Sequence, residues 1–317
     1  MSDIQLRPIT RADAAAVAQV LAAAETVDRT EEHVNVADLL EEMDNPMIDL
    51  ATDWTVAEVE GRVVGHSGLT PRAVVDGTVR VGIEGAVHPE HRRRGIGTAL
   101  LDRMVARARA YAEERGARPV LVGTAPSDVP DVETLFARHG MTPHRWQFVM
   151  TADLAQVGTT SPELPPGYTL STWEDLDAEE IRLAHNQAFV DHPGWTPWSW
   201  EMWDQWVTSA RSTRPALSLV ARAEDGAIAA YVQTAEYDAV QEATGIREAF
   251  VGKVGTVPEH RRRGLADVLL RTALHRYRAA GYERAALDVD SENPTGALGL
   301  YVRAGFRTDR RWTNYAS

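Results

Sequence analysis

Apolar residues in this chain recur with two periods, and the order in which those periods alternate occurs twice. A strand-like opening (IQLRPI) leads into 3–4 spacing at Val17, Val20 and Leu21, the stripe of a helix packed on one side. The second half starts alike, with YTLSTW ahead of Ile181, Ala184 and Phe189. Strand-type segments then flank a turn in WTVAEVEGRVVGHSGL and in LSLVARAEDGAIAAYVQTAEY, with Glu60-Gly61 and Asp225-Gly226 as the predicted hairpin turns. A further strand (VRVGIEGAV; AFVGKVGTV) runs into His-Arg-Arg-Arg-Gly, at 91–95 and at 260–264, and each copy opens a long apolar-periodic helix. A strand (RPVLVGT; RAALDVD), a short helix and a closing strand complete both halves.

Fixed offsets mark this as an internal repeat. Gly61 and Gly226, Gly116 and Gly281, and Gly140 and Gly305 each stand 165 residues apart, whereas the arginine strings stand 169 apart. The discrepancy falls in the helix after the first string, which is therefore about one turn longer than its counterpart. This order of elements predicts an α/β protein of two tandem domains, each a mixed, twisted sheet flanked by helices. The stretch QVGTTSPELPPGY at 156–168 is the expected linker, dividing the chain into domains 1–157 and 158–317.

Composition narrows the chemistry. The 317 residues contain no cysteine, which removes disulfides and thiolate nucleophiles, and no metal site is expected. A formal net charge of −13 argues against nucleic acid as a partner and makes the arginine strings local features of an acidic surface. No apolar run reaches the roughly 18 residues of a membrane span, and charges interrupt the N-terminus, so no membrane partner and a cytoplasmic location are expected.

The repeated turn has a definite ligand type. In R-x-x-G-x-G/A (Arg92, Gly95, Gly97; Arg261, Gly264, Ala266) small residues allow close backbone approach, and free N–H groups at a helix start converge on an anion. Neighbouring arginines add charge suited to phosphates. The spacing differs from the dinucleotide fingerprint and lacks the Lys-Ser/Thr of a P-loop.

These turns resemble those of the GNAT acyl-CoA-dependent N-acetyltransferases, and the resemblance covers nearly the whole chain twice. It implies acetyl-CoA as cosubstrate. Arg261, Arg262, Arg263, Gly264, Leu265, Ala266 and Asp267 would hold its pyrophosphate, and Val254, Gly255 and Thr256 would pair with pantetheine. The corresponding first-half positions are Gly85, Ala86, Val87, Arg92, Arg93, Arg94, Gly95, Ile96, Gly97 and Thr98. The stretch LDVDSENPTGALGLYVRAGF resembles the family's next signature. By that likeness Asn293 and Ala297 belong to the pantetheine arm, and Tyr301 is the acid that protonates the departing thiolate. Within the family the layout resembles the mycothiol synthase-like two-domain enzymes, with departures: Asp288 stands where those carry tyrosine, and Phe250 where they carry an acidic base.

The first half departs at the decisive position, because Phe136 corresponds to Tyr301, Asp128 to Asn293 and Met141 to Phe306. Phenylalanine cannot donate a proton, so catalysis is expected in the second half. Candidate bases for the acceptor amine are Glu248 and Asp288, with Asp290 on the same strand face as Asp288, and a water relay is the alternative. Five of nine tryptophans (195, 198, 200, 203 and 206) lie in PGWTPWSWEMWDQW, as core packing or as the lining of an acceptor pocket. The expectation is acetyl transfer to a primary amine of a small molecule by a monomer of pseudo-dimeric domains. A non-catalytic acyl-CoA sensor and a protein lysine acetyltransferase are the competing readings.

Overall fold

A computed structural model describes residues 4–158, 160–174, 176–191, 195–291 and 296–317. They form two compact units, one of residues up to Trp146 together with Trp312–Ser317, the other of Gln147–Arg311.

In the first unit β1 (Ile4–Pro8) precedes α1 (Ala14–Asp28) and α2 (Val36–Met43). The strands β2 (Trp54–Val59), β3 (Arg62–Val75) and β4 (Thr78–Val87) follow, then α3 (Ile96–Glu113), β5 (Arg118–Pro126) and α4 (Pro130–Ala137). Local chemistry sets the element ends. Asn35 accepts a hydrogen bond from the Asp38 N–H and Asp38 answers at the Asn35 N–H, a reciprocal cap that starts α2. Glu60 and Gly61 both take positive φ, as the tight β2–β3 hairpin requires. Buried Leu100, Leu101, Met104, Val105 and Ala108 form the α3 stripe.

β6 (Thr142–Asp153) is shared between units, and from Gln147 onward it belongs to the second. There follow β7 (Tyr168–Thr172), α5 (Ala178–Ala188), the single turn α6 (Trp200–Trp203), β8 (Leu219–Ala223), β9 (Ile228–Ala235) and α7 (Asp238–Thr244). Then come β10 (Glu248–Thr256), α8 (Leu265–Ala279), β11 (Arg284–Asp290), α9 (Ala297–Arg303) and β12 (Arg307–Ala316). The sheet order is β6-β11-β10-β9-β8-β7, with β10 and β11 parallel and the other pairs antiparallel. All eight residues of β9 are buried, because α8 covers one face and α5 the other; this explains its nearly unbroken apolar run. Leu269 and Leu270 on α8 are fully buried, each contributing about 1.5–3 kcal/mol of transfer free energy.

The α/β architecture of the two halves matches the expectation, and α3 exceeds α8 in length as the offsets require. The units nevertheless differ from the linear halves 1–157 and 158–317 at their last strands. Trp312–Ala316 of β12 pairs antiparallel with β5, from Trp312↔Pro126 to Ala316↔Val122, inside the first unit. Gln147–Asp153 of β6 pairs with β11, from Gln147↔Asp290 to Asp153↔Arg284, inside the second. An open strand edge demands a partner, and two halves of like sequence offer two similar closing strands, so exchange costs little. Tyr315 thereby enters the first unit's core beside Phe136, and Met150 and Ala152 enter the second's. Among the described residues no helix is long and apolar enough to cross a membrane.

Removing the Tyr315 ring should therefore loosen the first unit although the residue is encoded in the second half. Tyr315→Ala is expected to cost about 3 kcal/mol, read as an earlier denaturant transition in proteolysis-resistant fragments containing residues 54–126.

Candidate active site

In the second unit β10 follows β9 to its end, with Thr256 opposite Ala230, but leaves β11 after Phe250↔Ala286. A bulge at Gly252, between Val251 and Lys253, marks the departure. Val254, Gly255 and Thr256 therefore lie on a strand edge that β11 does not cover, where backbone groups are available to an extended ligand. In the first unit the parallel pairing of β4 with β5 runs on through Ile83↔Gly123, six pairs against three, so Gly85, Ala86 and Val87 belong to a shorter open segment. A Cβ at Gly123 would lie 3.0 Å from Phe136, which closes that segment further.

Both strands end in the same turn. Arg262 has φ +59° and Gly264 φ +81°; Arg93 and Gly95 have +62° and +88°. Left-handed arginine is uncommon, and a left-handed residue on each side of an ordinary one curls successive N–H groups into an anion-binding nest continued by the first turn of α8 or α3. A Cβ at Gly264 or Gly95 would meet nothing within 4 Å, so the space before each nest is open. Leu265 and Ile96, each 1% exposed, anchor the helix starts in the core. These features fit the pyrophosphate and pantetheine of a coenzyme A thioester.

The arginines divide their work. Arg261 spends its guanidinium inside the protein: Nε donates to the Thr256 carbonyl at 3.3 Å, Nη1 to Asp191 at 2.6 Å and Nη2 to the Ala188 carbonyl at 3.1 Å. Arg92 does the same with the Val87 carbonyl at 3.0 Å and a bidentate pair to Asp28 at 2.7 and 2.6 Å. The first arginine of each motif thus clamps the turn to the preceding strand end, leaving the backbone to meet the anion. Arg263 donates to the Tyr168 hydroxyl and the Glu259 carbonyl, and Arg93 to Asp131. Arg262 and Arg94 are exposed and meet no partner among the described residues. Asp267 pairs with Arg271 at 2.9 Å, and Thr98 accepts from Arg138 at 3.2 Å. Ala266 and Gly97 are half-buried on the first turns.

Tyr301, on α9, is 8% exposed and packs against Phe306, and burial pushes its hydroxyl up to about 12. That hydroxyl bonds no described residue, and burial keeps it protonated at neutral pH. Ala297 opens α9 against the same core, whereas Asn293 lies outside the described residues. Asp288 projects from β11 on the face opposite Leu287 and Val289, as alternation predicts. Surrounding protein pushes its carboxyl up to about 6 although its side chain reaches solvent. Glu248 stands apart from that picture: it forms an ion pair with Arg284 at the start of β10, far along the strand from the turn.

The face shared by Asp288 and Phe250 carries the aromatic cluster. His185 on α5 bonds the Tyr231 hydroxyl at 2.6 Å and packs on Trp198 and Trp203; burial holds it neutral, pushed down to about 3. Tyr231 is why residue 255 is glycine, since a Cβ there would sit 2.3 Å from its ring. Asn186 fixes Trp198 by bonding its N–H and its carbonyl at 2.9 and 3.1 Å. The tryptophans divide accordingly: Trp203 is core, Trp200 is exposed, and Trp198 lies beneath the Lys253 ammonium, 4.9 Å from its ring centroid. Lys253 is the functional candidate that sequence reading passed over; a charge inside the apolar strand AFVGKVGTV was its only signal. Among the described residues no three metal-ligating side chains gather.

Comparison with known proteins agrees with this geometry. The profile of the acetyltransferase (GNAT) family matches residues 17–141 and again 177–306. Mycothiol acetyltransferase of Clavibacter sepedonicus is 32% identical over 75% of this chain and 73% of its own length. That of Thermomonospora curvata is 31% identical over 92% and 90%. A GCN5-related N-acetyltransferase from Sphaerobacter thermophilus superposes with a TM-score of 0.76 at 26% identity, covering 99% of this chain and 95% of that one. A tandem GNAT protein from the clavulanic acid biosynthesis pathway shares the fold, with a TM-score of 0.75 at 22% identity over 99% and 98%. Two profile matches, two open-edged strands and two anion nests make this chain a tandem member of the GNAT family of acetyltransferases.

Proposed function

We propose that the second unit transfers the acetyl group of acetyl-CoA to a primary amine of a small molecule, and that the first unit keeps the coenzyme-shaped turn without catalysis. The observation that carries this is the pairing, in one unit only, of the longer open β10 edge with a protonated tyrosine on α9 whose hydroxyl meets no partner among the described residues. Bound acetyl-CoA supplies an activated thioester carbonyl. The nest at Arg262 to Leu265 receives its pyrophosphate, and the β10 edge from Val254 to Thr256 aligns its arm. Tyr301 holds a proton on Oη for the leaving sulfur. Asp288 accepts the proton of the incoming amine, directly or through water, while Glu248 serves strand pairing through Arg284. Acceptors of the kind named for the mycothiol acetyltransferases are one class for this site, with Asp288 and Phe250 altering the pocket. A tyrosine poised as a proton donor favours an enzyme over a sensor.

Tyr301→Phe should lower kcat by about 10²–10⁴ with little change in acetyl-CoA affinity, measured as thiol release with a panel of amines. Wild-type rates from Tyr301→Phe would remove the acid from the mechanism. Gly264→Asp, which sets a carboxylate before the nest, should raise the acetyl-CoA KM at least about tenfold, whereas Gly95→Asp should leave turnover intact. If Asp288 is the base, kcat/KM rises as pH passes upward through about 6, where its carboxyl loses its proton, and Asp288→Asn abolishes that limb.

A further inference from the structure

Lys253 is a cation in the wrong place for a merely structural residue. It sits just past the Gly252 bulge, where β10 has left β11, on the face shared with Phe250 and Asp288. Its Nζ donates to Gln233 Oε1 at 3.1 Å and lies over the Trp198 ring, and among the described residues no carboxylate pairs with it. Its remaining charged neighbour would be His185, which is neutral. Half-burying an ammonium where its described contacts are an amide oxygen and an indole face, with a neutral imidazole nearby, is costly, and such a charge on the face of a cleft is a candidate for a functional role. Desolvation already lowers its proton affinity, to about 8.

The duplicated unit supplies an internal control. Counting back from the arginine strings, the position of Lys253 is occupied in the first unit by Glu84, opposite Gly68 where Lys253 faces Gln233. The fold thus accepts either sign of charge at this point of the strand. Glu84 keeps its own marked environment, its carboxyl pushed up to about 7 by burial and by Glu42.

We propose that Lys253 is the anchor for a carboxylate carried by one of the two reacting molecules, with Gln233 and Trp198 holding its ammonium in place. This deepens the acyl-transfer reading and rests on it. Two sources share that chemistry: an acceptor amine that also bears a carboxylate, such as an amino acid, or an acyl chain that ends in one.

Calorimetric titration separates them. In the presence of coenzyme A, L-phenylalanine, L-glutamate and γ-aminobutyrate are each compared with their amides; in a second arm, succinyl-CoA is compared with acetyl-CoA. The wild type should bind the carboxylated member at least about tenfold more tightly in one arm, and Lys253→Met should erase that preference while leaving coenzyme A affinity unchanged. Lys253→Arg, which keeps the charge, should retain part of it. A thermal melt of Lys253→Met no lower than wild type verifies folding, and Lys253→Gln serves in its place if that variant melts early. No preference in either arm, or a preference that survives Lys253→Met, overturns the anchor. Thiol release that shows no preference for a carboxylated amine or acyl chain and is unaffected by Lys253→Met would sink the anchor and keep the acyltransferase; Lys253-dependent carboxylate binding with no turnover of any amine would do the reverse.

Discussion

The separation of β10 from β11 is the constraint on which the rest of the second unit depends. Two parallel strands paired along their full length would spend every backbone group on each other. Here the pairing stops after three residues, and the Gly252 bulge turns the remainder of β10 away while β9 continues to support it. The cost of unpaired N–H and C=O groups is tolerable only where water or a ligand takes them up. One end of the opened edge is held by the Arg261 clamp on Thr256, Asp191 and Ala188, the other by the Glu248–Arg284 pair. Between those fixed points lie Gly255, forced by the Tyr231 ring, and Lys253.

The two units show what a duplicated sheet can vary. The clamp and the nest are the same in both, down to left-handed Arg93 and Arg262, so the turn is a property of the backbone path. What differs is the cleft beside it. In the first unit three more residue pairs close β4 on β5 and Phe136 fills the space against Gly123. In the second, Tyr301 brings a hydroxyl to the equivalent place, with no partner among the described residues. On the proposed function, a few side chains on an otherwise repeated frame concentrate the chemistry in one copy.

Much of this was legible in the chain. Two periods of apolar residues, fixed glycine offsets and the Arg-x-x-Gly-x-small turn determined the number of domains, the order of elements and the turns that open α3 and α8, because each is a local matter of sterics and backbone geometry. The Phe136 for Tyr301 contrast was visible for the same reason. Three things waited for the tertiary structure. Exchange of the closing strands could not be read, since β5 and β11 present similar edges and the choice between similar partners depends on the path of the whole chain. The roles of Arg261, Arg92 and Glu248 could not be read either: all three are charges in promising places, and only the positions of Asp191, Asp28 and Arg284 showed them spent on the protein itself. Lys253 is the converse case, a charge unremarked in an apolar strand that became conspicuous once its described contacts proved to be Gln233 and the Trp198 ring, for the solvation of a charge is set by what packs around it and not by its place in the chain.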